Sequence, residues 1–249
     1  MEESSGVQAS VSATLRAVIF DVGGTLLREA PLLGPDEATG LRLARLHDAF
    51  GGSRPWFEDL VTYFGTDRRS DPTHRQGSRG QVRDYLAAVL GVAISADEAE
   101  MVRAACCLPG PSMEPMRDGA LEALRHARQR GLRVALCSNV FWRTGSDSRT
   151  DWIARGAGEL IDAHVTSIDV GWLKPHRAMF ESALAALGVD AVEAVMVGDS
   201  GAKDIGPAKQ LGMRAIHVRS SDATVADPAG DARVEDLCDL PAALDRLAG

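Results

Sequence analysis

Short apolar runs punctuate the chain at 15–20 (Leu-Arg-Ala-Val-Ile-Phe), 133–137, 163–166, 194–197 and 214–218. Runs of four to six residues that are apolar almost throughout, rather than alternating with polar ones, are the pattern of strands buried on both faces. Between them, apolar positions recur at helical spacing over 119–130, 176–187 and 203–211, and each stretch is stopped by a glycine, at Gly131, Gly188 and Gly212. Strand and helix alternate. That order predicts an α/β fold with a doubly wound, Rossmann-like parallel sheet covered on both faces.

The stretch 28–114 breaks the rhythm. Leu41, Leu43 and Leu46, then Val82, Leu86 and Val89, keep helical spacing with no strand pattern between them. It reads as an inserted helical cap, so the expected division is a polar tail over 1–14, a core over 15–27 plus 115–249, and a cap over 28–114. Turn chemistry at Leu33-Gly34-Pro35 and at Pro109-Gly110-Pro111 marks two expected hinges. Trp56, Phe57, Tyr63 and Phe64 at helical spacing read as cap core. Arg68, Arg69, His74, Arg75, Arg79 and Arg83 read as a solvated basic stretch.

Composition narrows the class. Of 249 residues 45% are hydrophobic, enough for a sizeable core, and 35 acidic against 27 basic side chains give a net charge of −8, which argues against nucleic acid as a partner. Four cysteines without CxxC spacing, an acidic polar start and no apolar run near the ~18 residues of a membrane span lead to the expectation of a cytoplasmic protein that does not enter a membrane. Only Lys174, Lys203 and Lys209 are lysines, so none precedes position 174.

Ligands of doubly wound sheets collect at the carboxyl ends of the strands. The first expected strand ends in Asp21-Val22-Gly23-Gly24-Thr25, the second in Ser138-Asn139, and the fourth in Gly198-Asp199 with Asp204 five residues on; Lys174-Pro175-His176 lies between. Three acids, a hydroxyl and a lysine thus gather where the loops converge.

In these residues the chain resembles the haloacid dehalogenase superfamily, whose four motifs are an Asp-led Gly-Thr loop, a Ser or Thr, a Lys and a closing acidic pair. The resemblance covers about 15–27 and 115–220, and the insertion at 28–114 resembles the family's helical cap. It implies a hydrolase of small phosphorylated molecules that uses Mg²⁺. Asp21 would be the nucleophile and would hold the ion with Asp199 and the Gly23 carbonyl, Asp204 supporting the metal shell or Lys174. Ser138 and Lys174 would bind the phosphoryl group, helped by backbone N–H groups near Gly24 and Asn139. The residue types suit the chemistry, because a carboxylate attacks phosphorus only when the repulsion of the phosphate oxygens is cancelled by cations.

One position departs from the pattern. Family phosphatases carry a second Asp two residues after the nucleophile, where it protonates the leaving alcohol, and this chain has Gly23. Loss of such a group costs roughly 10²–10⁴-fold. Phosphonate-cleaving relatives need a cap lysine, which is absent. A metal-independent 2-haloacid dehalogenase and a non-catalytic binder of phosphorylated ligands are the alternatives to a phosphatase. His176, where relatives often have Asp, reads as the start of the next helix. Trp142 and Arg143 read equally as pocket lining or as an apolar contact and a solvated arginine.

Overall fold

The computed structural model describes residues 14–28, 31–65, 83–84, 86–88, 91–110, 114–219 and 230–248. Among these, six strands form one parallel sheet in the order β3-β2-β1-β4-β5-β6. The strands are β1 (Ala17–Phe20), β2 (Arg133–Ser138), β3 (Ala163–Thr166), β4 (Ala194–Gly198), β5 (Arg214–Val218) and β6 (Ala232–Val234). β1 is central, with Phe20 opposite Leu136 of β2 on one side and Val197 of β4 on the other. The strand order reverses between β1 and β4, which opens a crevice at their carboxyl ends.

The apolar runs bury both faces, as expected of parallel strands. Val18, Phe20, Val134, Leu136, Val195 and Val197 pack against the helices Ala120–Gln129 and Leu240–Ala248. Ala17, Ile19, Ala135, Cys137 and Met196 face the helix Arg177–Leu187 on the other side. The first strand is shorter than its apolar run, starting at Ala17 rather than Leu15. β6 follows none of the expected runs, since Ala-Arg-Val is too short and too polar in the middle to stand out.

The chain from 28 to 114 is helical where described: α1 (Pro35–Phe50), α2 (Phe57–Gly65) and α3 (Ala96–Cys106). It has its own apolar cluster of Leu46, Trp56, Phe57, Leu60, Leu86 and Val102. Trp56 and Phe57 are therefore core, as their spacing implied; Val82, Val89, the Phe64 side chain and the basic residues Arg68, Arg69, His74, Arg75 and Arg79 lie outside the described residues. Gly34-Pro35 is a helix start, with Gly34 the N-cap of α1 and Pro35 its first residue. The chain leaves and rejoins the sheet elsewhere: Leu27 bridges Met116 in antiparallel fashion, the Arg28 N–H donates to the Pro115 carbonyl, and the Arg117 N–H donates to the Leu26 carbonyl, both at 2.9 Å. Pro111, the far end of the second expected hinge, lies outside the described residues.

Candidate active site

Because Phe20 is in register with Val197, Asp21 emerges beside Gly198 and one residue from Asp199. The Asp21 N–H is held by the Val197 carbonyl at 2.9 Å. The loop then closes on itself, with the N–H groups of Leu26 and Leu27 both donating to the Val22 carbonyl at 2.9 Å. Gly24 supplies the turn, with φ +77°, and its own N–H donates to the Leu27 carbonyl. That amide is thus committed to the loop. The turn brings Thr25 back under Asp21: its buried hydroxyl donates to Asp21 Oδ2 at 2.8 Å, with Asp199 Oδ1 at 3.4 Å.

Lys174 is 3% exposed, and its Nζ lies 2.6 Å from Asp21 Oδ1 and 2.7 Å from Asp204 Oδ1. Burial alone would depress its ionisation, but the two carboxylates hold the ammonium above the ordinary lysine range. Asp204, 1% exposed, also accepts the Ser200 N–H through Oδ2. Burial pushes its carboxyl up to about 6 against the pull of Lys174. Gly198 makes room for it, since a Cβ there would stand 2.6 Å from Asp204 Cβ.

Carboxylate oxygens of Asp21, Asp199 and Asp204 all lie within 4.8 Å of one another. Lys174 pairs with two of these acids, Asp21 and Asp204. An all-oxygen donor set of this kind suits a hard divalent ion.

Ser138 ends β2 and Asn139 follows it at the same edge of the sheet, both half-buried. The Asn139 side chain grips the Lys174 main chain, accepting its N–H at Oδ1 (2.7 Å) and donating from Nδ2 to its carbonyl (3.0 Å). Gly23 is exposed, and a Cβ added to it would meet no atom of the described residues within 4 Å. His176 is the N-cap of the helix Arg177–Leu187, its Nδ1 accepting the Ala178 N–H at 3.3 Å. Trp142 packs against the apolar cluster of the helical segment, and Arg143 is no solvated arginine: it pairs with Asp151 at 2.5 Å and donates to the Leu108 carbonyl at 2.6 Å.

The structure therefore brings Asp21, Lys174, Asp199 and Asp204 into one cluster, with Gly23 and Gly24 on the loop after Asp21, Ser138 at the end of β2 and Asn139 just beyond it. Two contributors escaped sequence reasoning. Thr25 was visible in the Asp-x-x-Gly-Thr spacing, which lets a hydroxyl return to the carboxylate four residues earlier. His217, whose Nε2 is 2.9 Å from the Asp199 carbonyl, carried no such signal, because the contact crosses from β5.

A family model described as haloacid dehalogenase-like hydrolase matches residues 15–212. Haloacid dehalogenase-like hydrolase domain-containing protein 3 of Homo sapiens is 35% identical over 138 residues, 53% of each chain. Phosphoserine phosphatase of Thermus thermophilus is 35% identical over 124 residues, 49% of each. The chain spans about half the length of these curated relatives. Among solved structures, a 2-haloacid dehalogenase from Pseudomonas syringae pv. Tomato DC3000 aligns with TM-score 0.64 and 26% identity over 93% of this chain and 99% of the other. A phosphatase from Thermococcus onnurineus aligns with TM-score 0.58 and 22% identity over 92% and 98%.

Proposed function

The chain belongs to the haloacid dehalogenase-like hydrolases, and on that premise we propose that it is a Mg²⁺-dependent phosphatase acting on a small phosphorylated molecule, with Asp21 as nucleophile. One observation carries the reading: the Asp21 carboxylate is held by a buried lysine and lies within reach of two further acids. A nucleophile for a polyanionic substrate needs a cation beside it and acids that can hold a second one, whereas a structural aspartate needs neither. The phosphatase activity named for the Thermus relative supports the same reaction class.

Asp21, Asp199 and the Gly23 carbonyl would hold the ion, with Asp204 at its edge. What a bound Mg²⁺ supplies is neutralisation of charge on the phosphoryl oxygens. Thr25 fixes one Asp21 oxygen and leaves the other to turn from Lys174 toward phosphorus. Lys174 then shares its charge between phosphate and nucleophile, and Ser138 with the Asn139 amide binds the equatorial oxygens. Attack forms the bond from Asp21 oxygen to phosphorus as the bond to the leaving oxygen breaks. Water later adds to phosphorus, the Asp21 carboxylate departs with its electron pair, and the water's proton passes to solvent. The helical segment 28–114 serves as the cap that excludes bulk water.

A second reading, a metal-independent 2-haloacid dehalogenase, has the likeness to the Pseudomonas syringae structure in its favour and the three-acid cluster against it. The test is turnover of p-nitrophenyl phosphate and of L-2-chloropropionate, each with Mg²⁺ and with EDTA, for the native protein and Asp21→Asn. Phosphate release that needs both Mg²⁺ and Asp21 is expected. Halide release indifferent to EDTA would replace the phosphatase reading, and phosphate binding with no turnover would make the protein a binder.

A further inference from the structure

The loop that delivers Lys174 also carries two stacked aromatic rings. The Trp172 and His176 rings stack with centroids 3.8 Å apart and planes 6° from parallel, both half-buried. Two bonds fix the arrangement: the His176 main-chain N–H donates to the Leu173 carbonyl at 2.9 Å, and His176 Nδ1 accepts the Ala178 N–H at 3.3 Å. Through Asn139 this loop is clamped to the one after β2, where Phe141 and Trp142 form an edge-to-face pair, centroids 4.6 Å apart. Two aromatic pairs thus lie within three residues of the clamp, on the two loops that flank the site.

At Gly23 the chain has no side chain to protonate a leaving group. Without that proton only oxygens that depart readily as anions leave fast, which favours acyl phosphates, phosphoanhydrides and aryl phosphates over alkyl esters. A phenol ionises near pH ~10, an alkyl alcohol far higher. A small acyl phosphate or an inorganic phosphoanhydride would gain nothing from aromatic loops, whereas an aryl group stacks on them. We propose that the Trp172–His176 stack is the leaving-group subsite and that the substrate is the phosphate ester of a planar aromatic alcohol. This rests on the phosphatase reading. In the step itself the bond from Asp21 oxygen to phosphorus forms, the bond from phosphorus to aryl oxygen breaks, and the aryl oxygen leaves with the electron pair to take its proton from water.

The test compares p-nitrophenyl phosphate with acetyl phosphate, both good leaving groups and only one aromatic, at saturating Mg²⁺ in native protein, Trp172→Ala and Trp172→Phe. Trp172→Ala is expected to lose roughly tenfold more kcat/KM for the aryl ester than for acetyl phosphate, with Trp172→Phe recovering most of the loss. Equal losses on both substrates, or none on the aryl ester, overturn the proposal and leave the phosphatase intact. If neither substrate is turned over, the phosphatase reading fails, and calorimetric binding of phenylphosphonate against methylphosphonate decides the subsite. Preference for phenyl that Trp172→Ala abolishes supports it, and equal affinities overturn it.

Discussion

Asn139 grips Lys174 by its main chain, not its side chain: two bonds of 2.7 and 3.0 Å lock the peptide units on either side of the lysine's Cα. The ammonium is thereby aimed from a fixed base. Asn139→Ala should release that base, and Asn139→Asp should keep the acceptor but lose the donor to the Lys174 carbonyl. We expect kcat to fall by roughly 10–100-fold in the alanine variant, since misplacement of about 1 Å costs up to ~10²-fold. The aspartate variant should fall between alanine and native. Steady-state kinetics checks the order, and alanine and aspartate variants with equal kcat would show that the clamp is not what positions Lys174.

Gly23→Asp supplies the acid missing from the loop. Gly23 does not occupy the left-handed region, and an added Cβ meets no clash among the described residues. Turnover of alkyl phosphates should rise within the roughly 10²–10⁴-fold range of general acid catalysis, with little change for aryl esters. The ratio of alkyl to aryl kcat/KM in the two proteins is the measurement. A native enzyme with no dependence on leaving group would mean that another residue gives the proton.

Gly198→Ala drives a methyl into Asp204 at 2.6 Å, where backbone-linked atoms cannot simply swing aside. Overpacking of this kind costs about 1–3 kcal/mol, and here it also pries Asp204 from Lys174. Thermal unfolding of Gly198→Ala in native and Asp204→Gly backgrounds isolates the contact, because alanine at 204 would keep the clashing Cβ. The cost should largely vanish once Asp204 is trimmed; an unchanged cost would place the strain elsewhere.

His164 gives the protein a pH dependence remote from the catalytic cluster. Its Nδ1 meets the Ser148 hydroxyl at 3.0 Å, while its Nε2 is buried with no partner among the described residues. Burial, with Arg149 adding to it, lowers its pKa to about 4 from the ordinary 6.5. The unfolded chain therefore binds a proton that the folded chain refuses. Stability is fully present above about pH 6.5 and is lost as pH falls from there toward 4, by about 1–2 kcal/mol once partial exposure of the ring is allowed for. Denaturant midpoints at pH 7, 6, 5 and 4 for native and His164→Gln check this: the glutamine variant should show the shallower slope between 6.5 and 4.

Much of the fold could be read from the sequence because parallel strands buried on both faces spell themselves as apolar runs, and their ends are where polar chemistry begins. Asp21, Ser138 and Asp199 were legible for that reason. β6 was not, since Ala232-Arg-Val234 owes its pairing to the completed edge of β5 and not to any pattern of its own. The role of Asn139 was likewise hidden, because a side chain that binds a main chain 35 residues away leaves no local trace. The mark left by Gly34-Pro35 was real, but it starts a helix and does not sit where the chain leaves the sheet.

That crossing is a narrow paired neck: Leu26 to Arg28 run against Pro115 to Arg117, and Arg28 adds an ion pair to Asp118 at 2.8 Å. Whatever lies between begins and ends within one hydrogen bond of the same spot. The neck insulates the sheet from the length of its insert, because closing a longer or shorter loop across ends already joined costs little. The segment between Arg28 and Pro115 is moored a second time, by Arg103 to Asp147 and by the Leu108 carbonyl to Arg143, so a replacement would have to keep those contacts as well as the neck.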